Sequence, residues 1–102
     1  MRIIRDQAYK QGATAPVQYD LYLPNVTRRG PMPVVVIFNA GQGVGRTLSL
    51  NVAWARLLAG TGLAAVTYDS DTSGAVRNFD ALTRALERDA TSHGVAVTRM
   101  AL

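Results

Sequence analysis

The stretch VVVIFNAGQGVGRT, residues 34–47, decides how this chain of 102 residues is expected to fold. Its first five residues are a continuous apolar run of β-branched and aromatic side chains, which is typical of a strand buried on both faces of a parallel sheet. Glycines at positions 41, 43 and 45 follow at once and predict a loop. A strand, a glycine loop and a helix can cradle a phosphate, or can hold an oxyanion in an acyl-transfer enzyme.

The segments on either side of this stretch predict strands and helices in a definite order. Residues 17–24 alternate, so that Val17, Tyr19, Leu21 and Leu23 fall on one face of a half-buried strand. Residues 2–9 carry a weaker signal for an edge strand. Beyond the glycine loop we expect, in chain order, a helix over 47–60, a strand over 63–69, a helix over 77–93 and a strand that begins at about Thr98.

Both predicted helices carry apolar residues at helical spacing, which indicates a buried stripe on each. In the first helix the stripe contains Leu50, Ala53, Trp54, Leu57 and Leu58, so Trp54 is expected in the core, and Gly60 or Gly62 ends the helix. In the second helix the stripe contains Phe79, Leu82, Ala85 and Leu86. Asn78 or Asp80 is expected to cap its start, and Gly94 to end it.

Helical crossovers between the last three strands predict parallel pairing. The fold class is therefore expected to be α/β, with a mostly parallel sheet and two crossover helices in a single domain over residues 1–102. Asp69 and Asp71 follow a predicted strand, where such carboxylates commonly cap the N–H groups of a loop.

Composition excludes several classes of function. The sequence has no cysteine and a single histidine, His93, which argues against a disulfide framework, a thiolate nucleophile or a multi-histidine metal site. The net charge is +4, but the basic residues are scattered, so we expect no specific nucleic-acid partner. No signal-peptide pattern and no membrane-length apolar run is present, and the expected location is cytoplasmic.

One hypothesis for the glycine loop is phosphate binding. Residues 40–47, AGQGVGRT, come close to a P-loop, in which backbone N–H groups hold the phosphates, a lysine reaches the outer ones and a hydroxyl binds magnesium. The segment resembles the KGGVGKT loop of partition-type ATPases, and the implied residues are Gly43, Gly45, Arg46, Thr47 and, on the metal side, Asp69. Arg46 stands where the lysine is needed, and a planar guanidinium is not equivalent to an ammonium there.

A second hypothesis rests on a resemblance that runs from about residue 9 to the end of the chain. YDLYLP resembles the second strand of dienelactone-hydrolase-like and acetyl-esterase-like α/β hydrolases. PMPVVVIFNAGQG is similar to their third strand, WARLLAGTGLAAVTYD to their first helix and fourth strand, and the segment from residue 78 to the end to the next helix and the start of the fifth strand.

The resemblance implies that the glycine loop helps to stabilise the oxyanion formed when a serine attacks an ester carbonyl. One backbone donor follows the nucleophile and the other comes from the loop after the third strand. Carried onto this sequence, that donor is Gly41, with Gln42 as the next candidate. Asn39 and Ala40 stand where the family has His-Gly, and the side chain of Asn39 can hydrogen-bond the loop itself.

The catalytic residues that the resemblance implies are missing from the sequence. No G-x-S-x-G elbow occurs, and Ser49, Ser70, Ser73 and Ser92 have no such context. His93 is read as a helix-end residue rather than a base. We therefore expect the N-terminal half of a hydrolase fold that is inactive alone, needs no metal or cofactor, and acts on an ester if the missing half completes it. Such a chain can self-associate through an exposed sheet edge. The alternative outside enzymes is an interaction module that presents this edge to a partner.

Overall fold

The computed structural model describes residues 1–25, 32–39, 43–93 and 95–101, and over 90–93 and 95–101 it describes the backbone alone. Within these residues, strands and helices alternate after an initial β-hairpin. The elements are β1 (Arg2–Gln11), β2 (Pro16–Leu23), β3 (Met32–Val36), α1 (Ser49–Gly60), β4 (Ala64–Tyr68), α2 (Ala75–His93) and β5 (Val95–Ala101).

The strands form one five-stranded sheet in the order β1-β2-β4-β3-β5. β3 pairs in parallel with β4 on one side and β5 on the other, as the helical crossovers predict. The expectation of a mostly parallel sheet is wrong, because β1 pairs antiparallel with β2, and β2 pairs antiparallel with β4. No helix joins the first strands: a tight turn with a hydrogen bond from Gly12 N to Ala15 O connects β1 to β2, and such hairpins pair antiparallel.

Helices pack on both faces of the sheet, and the strand residues divide between two apolar clusters. One cluster combines Val34 and Val36 with residues of α2 such as Leu82 and Leu86. The same cluster contains the four alternating residues predicted to share a face of β2, which confirms that prediction: Val17, Tyr19, Leu21 and Leu23. The other cluster places Ile37 with Ala55 and Ala59 of α1. The apolar run is therefore buried on both faces from Val34 to Ile37, whereas Phe38, which was predicted to belong to the same buried strand, is 38% exposed.

The buried stripe predicted for α1 is wrong except at Leu58, which is partly buried and packs against the core. The residues of α1 that are buried against the sheet are small, Ala55 and Ala59. Leu50, Trp54 and Leu57 are 69%, 46% and 57% exposed. Small side chains let a helix approach the sheet closely, so the larger apolar residues, which the periodicity assigned to the core, lie on the outer surface of α1.

The ends of the other elements differ from expectation in two places. α2 begins at Ala75, so Asn78 lies inside its first turns and is fully buried rather than being a cap. β5 begins at Val95, earlier than Thr98. α1 ends as predicted near its glycines, with Gly62 just beyond it at φ +99°. Among the described residues, neither helix combines the length and apolar character needed to cross a membrane.

Candidate oxyanion loop at the end of β3

Asn39, which lies just beyond β3, ties the carboxyl ends of β3 and β4 together. Its backbone N–H donates to the hydroxyl of Tyr68 at 2.9 Å, and its side-chain Nδ2 donates to the carbonyl oxygen of Tyr68 at 3.2 Å. The same amide group donates to Ser70 Oγ at 3.1 Å and reaches the carbonyl oxygen of Gly43 at 3.5 Å. Asn39 is buried, so these bonds satisfy a side chain that water does not reach.

Gly43 is held against the residue that follows β4 by a pair of backbone hydrogen bonds. Gly43 N donates to Ser70 O at 2.9 Å, and Ser70 N donates to Gly43 O at 3.0 Å. Gly43 has φ +84°, a conformation that glycine adopts at little cost. Asn39 and Gly43 therefore fix the two points between which residues 40–42 run. Gly41 and Gln42, the predicted oxyanion donors, lie outside the described residues.

Gly45 is required by close packing at the same place. A side chain there would meet the amide group of Asn39, and its Cβ would lie 2.5 Å from the carbonyl oxygen of Tyr68. Gly45 O also accepts a hydrogen bond of 2.9 Å from Asn51 Nδ2 in the first turn of α1. At Gly45 the backbone that leads into α1 is thus pressed against the end of β4.

The side chain of Arg46 holds the segment between Gly45 and α1 in place. Its backbone N–H and its Nε donate to the two oxygens of Asp69, each at 3.0 Å. Its Nη1 donates to Asp20 at 3.0 Å and also pairs with Asp6, and its Nη2 donates to Gln18 at 3.2 Å. The guanidinium therefore links β1, β2 and the end of β4 to the segment that leads into α1.

The acidic partners of Arg46 are positioned by the edge of the sheet. The carboxylate of Asp20 on β2 is almost fully buried, with 1% of the side chain exposed, so its charge needs compensation. Arg46 supplies most of it at 3.0 Å, with Arg5 at 3.9 Å and a hydrogen bond from the backbone N–H of Asp6 at 2.9 Å. Asp6 has φ +59° and lies where the pairing of β1 with β2 shifts register. Such a bulge redirects a side chain, and here it coincides with the carboxylate that meets Arg46.

The environment of Arg46 keeps its guanidinium charged and occupied. Burial alone would lower its pKa, but hydrogen bonds to the three carboxylates outweigh burial and raise the pKa of Arg46 above its ordinary value. In the P-loop hypothesis this side chain would reach phosphates. The observed contacts direct it instead to Asp69, the predicted metal-side residue, and to the sheet. The backbone of Gly43 pairs with Ser70, Gly45 packs closely against Asn39 and Tyr68, and Thr47 is exposed.

A second polar cluster fixes the segment that follows β4. The carboxylate of Asp71 accepts hydrogen bonds from the backbone N–H and hydroxyl of Ser73 and pairs with Lys10 at 3.0 Å. These bonds, those from Ser73 first, hold the pKa of Asp71 well below its ordinary value. Asn78 closes the cluster, donating to Gly74 O at 2.9 Å and Asp71 O at 3.1 Å. Asp69 and Asp71 thus accept from loop N–H groups, as predicted.

Buried tyrosines line the underside of this end of the sheet. Tyr9 donates to the carbonyl oxygen of Asp69, and its ring meets that of Tyr68 edge to face at 6.2 Å between centroids. Burial raises the pKa of Tyr9 and of Tyr68. For Tyr68, the hydrogen bond from the backbone of Asn39 acts in the opposite direction. The phenols are therefore protonated and act as structural hydrogen-bonding groups.

The sequence predicted that Asn39 can hydrogen-bond the loop. It did not predict the ion pairs of Arg46 with Asp6 and Asp20, which hold the segment that leads into α1. The sequence predicted β2 to be half-buried, which places Asp20 on the solvent face, but Asp20 and Tyr22 are buried as well. An acidic residue inside a strand buried on both faces needs a cation. The identity of the cation follows only from the topology that brings β1, β2 and β4 together.

Comparisons with known proteins show a fold likeness without sequence relatives. No protein-family model matches the chain, and no sequence among curated proteins matches it. The similar solved structures include a truncated form of a carbohydrate esterase from gut microbiota (TM-score 0.70, 12% identity), the thermophilic esterase Est2 of the planctomycete Thermogutta terrifontis (0.68, 18%) and a bifunctional GH43-CE protein of Bacteroides eggerthii (0.72, 15%).

These matches cover nearly all of the chain but only part of each neighbour. They span 94%, 88% and 97% of this chain, in the same order, and 36%, 35% and 15% of the others. At such identities the likeness shows the fold alone. The chain therefore has a partial α/β fold of the kind found in esterases, and it spans about a third or less of the length of the structures it matches.

Proposed function

We propose that this chain is the oxyanion-loop portion of a serine carboxylic-ester hydrolase. The observation that carries the proposal is the double anchoring of the segment after β3, by Asn39 at one end and by the Gly43–Ser70 backbone pair at the other. β3 lies between two parallel neighbours, so this segment leaves the sheet at the carboxyl ends of three co-directional strands. Ligands in open α/β sheets commonly bind outside those ends.

The chemistry requires a preorganised amide rather than a reactive side chain from this part of the fold. When a serine attacks an ester carbonyl, charge develops on the carbonyl oxygen, and fixed N–H groups stabilise it without reorganisation. Gly41 and Gln42 lie between the two anchors in sequence, and we assign the donor to Gly41 first and Gln42 second. Asn39 and Gly43, the described residues that flank these positions, are both held by hydrogen bonds to the end of β4 and to Ser70, and fixed flanking residues are what a preorganised donor needs.

The nucleophile, the base and the residue that orients the base must come from polypeptide other than these 102 residues. The sequence has no G-x-S-x-G elbow, and its serines have no partner arrangement of that kind. The described surroundings of Ser70 support this, because its hydroxyl accepts from Asn39 and its backbone pairs with Gly43. We propose that the chain alone does not hydrolyse esters and that no metal or organic cofactor takes part.

The substrate class follows from the proposed chemistry and from the neighbours. The three similar structures named above are described as esterases or as a CE-containing protein, and one as a carbohydrate esterase. We propose a carboxylic ester as substrate, with acetylated carbohydrates as the first group to test. The finer likeness to dienelactone-hydrolase-like and acetyl-esterase-like enzymes is part of the proposal, supported by the DLYLP segment of β2.

The first experiment compares the chain alone with a chimera. The chimera joins residues 1–102 to the remaining part of the Thermogutta terrifontis esterase. We expect the chain alone to leave p-nitrophenyl acetate at its background rate, and the chimera to hydrolyse it and to be blocked by a serine-directed phosphonate. Turnover by the chain alone, or a folded chimera that reacts with the phosphonate but does not turn over the ester, would contradict the proposal.

A nucleotide-binding test distinguishes the P-loop hypothesis from the hydrolase proposal. A phosphate cradle would make magnesium-ATP stabilise the chain by mass action, which raises Tm as the ligand concentration exceeds Kd. We expect no change in Tm, because the guanidinium of Arg46 is held by three carboxylates. A rise in Tm that is lost in Arg46→Met, while Arg84→Met keeps it, would instead support nucleotide binding.

A further inference from the structure

The outer face of α1 carries an apolar stripe that is not used by the fold. Leu50, Ala53, Trp54 and Leu57 recur at helical spacing, all are exposed, and together they border one shallow depression. The side of α1 that meets the sheet consists of alanines instead. Exposed large apolar residues are common singly, but a contiguous stripe that includes a tryptophan marks an interaction surface.

We propose that this stripe, residues 50, 53, 54 and 57, binds the same stripe of a second copy of the chain, with the two α1 helices antiparallel. The spacing of the four positions is the same read in either direction. A two-fold axis between Ala53 and Trp54 therefore places Leu50 opposite Leu57 of the other copy. It also places the small Ala53 opposite the large Trp54, so that each tryptophan meets a hole rather than another tryptophan.

The charges of α1 agree with this pairing. Its sequence, SLNVAWARLLAG, contains one ionisable side chain, Arg56. In the antiparallel arrangement Arg56 lies opposite Asn51 of the other copy, so the two arginines do not meet. No acidic or basic residue lies in the terminal turns, and antiparallel helices also align their dipoles favourably. A partner of strong charge has no complementary group on this stripe.

The size of the stripe sets the strength expected of the dimer. Three large side chains that are about half or more exposed offer on the order of a few hundred Å² of apolar area per copy, below the roughly 800 Å² per partner of a standard stable interface. The dimer is therefore expected to be reversible and weak, with Kd in the micromolar range. This inference does not depend on the proposed hydrolase function, since it concerns the face of α1 that points away from the sheet.

Trp54 reports directly on the contact, because it is the only tryptophan of the chain. Sedimentation equilibrium and tryptophan emission are measured on the wild-type chain over a range of protein concentrations. We expect a monomer–dimer equilibrium and an emission maximum that moves to shorter wavelength along the same concentration curve. A monomer at all concentrations, or association without any change in the emission of Trp54, would overturn the proposal.

Charged substitutions test the geometry of the pair. Leu50→Glu and Leu57→Lys are each expected to raise the dimer Kd at least tenfold, whereas Val76→Glu, at an 81% exposed position on α2, leaves it unchanged. Mixing the Leu50→Glu chain with the Leu57→Lys chain is expected to restore association, because the antiparallel arrangement brings the new carboxylate against the new ammonium. Circular dichroism of each variant establishes that it is folded.

Other dimer contacts, or another binding partner of the stripe, would give different results in the sedimentation and fluorescence measurements. If association persists unchanged in both single variants, the exposed edge of β5 or another surface is responsible and the stripe is not the dimer contact. If both variants dissociate the dimer but their mixture does not associate, the antiparallel register is wrong. If the emission of Trp54 shifts only when vesicles of anionic phospholipid are added, the stripe binds lipid rather than a second copy.

Discussion

The side-chain amide of Asn39 lies 3.2 Å from the carbonyl oxygen of Tyr68, and the hydroxyl of the same tyrosine lies 2.9 Å from the backbone nitrogen of Asn39. These two residues follow or end neighbouring parallel strands, so their double contact holds the start of the loop after β3 to the end of β4. The proposed function depends on that attachment, because a donor for an oxyanion must be held still before the reaction begins.

Replacing Asn39 tests the attachment. Asn39→Ala removes the side-chain donor to the carbonyl oxygen of Tyr68 and to Ser70 Oγ, both in buried residues, so we expect it to lower the free energy of unfolding by about 2–3 kcal/mol. Asn51→Ala is the matched control, since its amide makes a single hydrogen bond to Gly45, and about 1 kcal/mol is expected. Urea unfolding measures both. Equal losses would show that Asn39 is no special anchor.

A methyl group at Gly45 tests the close approach of the two chain segments. Gly45→Ala would force Cβ against the amide of Asn39 and the carbonyl of Tyr68, and a loss of about 1–3 kcal/mol is expected from overpacking. Gly60→Ala is the control, because no atom lies within 4 Å of its Cβ and it belongs to α1, where alanine is favoured over glycine by roughly 0.5–1 kcal/mol. Thermal unfolding should therefore shift Tm in opposite directions; a shift of the same sign would contradict the packing at Gly45.

Replacing Arg46 is expected to lower the free energy of unfolding more than replacing an exposed arginine such as Arg84. Arg46→Met removes the nearer of the two cations that pair with the buried carboxylate of Asp20 and leaves Arg5 at 3.9 Å. Breaking a buried pair from one side costs about 3–5 kcal/mol. Arg84→Met removes an exposed pair with Asp80 on α2, which is expected to cost less than about 0.5 kcal/mol. The comparison is made by urea unfolding. A similar small loss in both variants would show that Asp20 does not depend on Arg46.

Stability should fall in alkaline solution because of buried phenols. The pKa of Tyr9 and of Tyr19 is raised, in both cases first by burial, so the fold favours their neutral forms. Their contribution is fully present below the ordinary pKa of 10.0 and is lost as the pH rises above it toward the raised values. We expect Tm to drop steeply above pH 10, and Tyr9→Phe to flatten that dependence. An unchanged pH dependence in Tyr9→Phe would contradict the shift.

The sequence was sufficient for most of the strands and for the parallel core, because a continuous apolar run, helical crossovers and glycine-marked turns are local signals. It failed for α1, because apolar residues lie on two faces of this helix and the face that packs on the sheet is the one with the alanines, Ala55 and Ala59. It also failed for the direction of β2, since pairing across the sheet depends on which strand lies beside β4. The bond from Asn39 to the loop was foreseeable from its residue type, whereas the partners of Arg46 required the topology.

The most direct test of the central claim removes a single backbone N–H from the loop of the chimera. Gly41→Pro deletes the proposed donor, whereas Gly41→Ala at the same position keeps it, and Gln42→Pro and Gln42→Ala form a second pair. Turnover of p-nitrophenyl acetate is measured together with circular dichroism and thermal unfolding, which establish that each variant is folded. We expect one proline variant, first that at Gly41, to lose about 10²–10³ in kcat relative to its alanine partner. If both proline variants are folded and turn over as fast as their alanine partners, this loop does not supply the oxyanion donor.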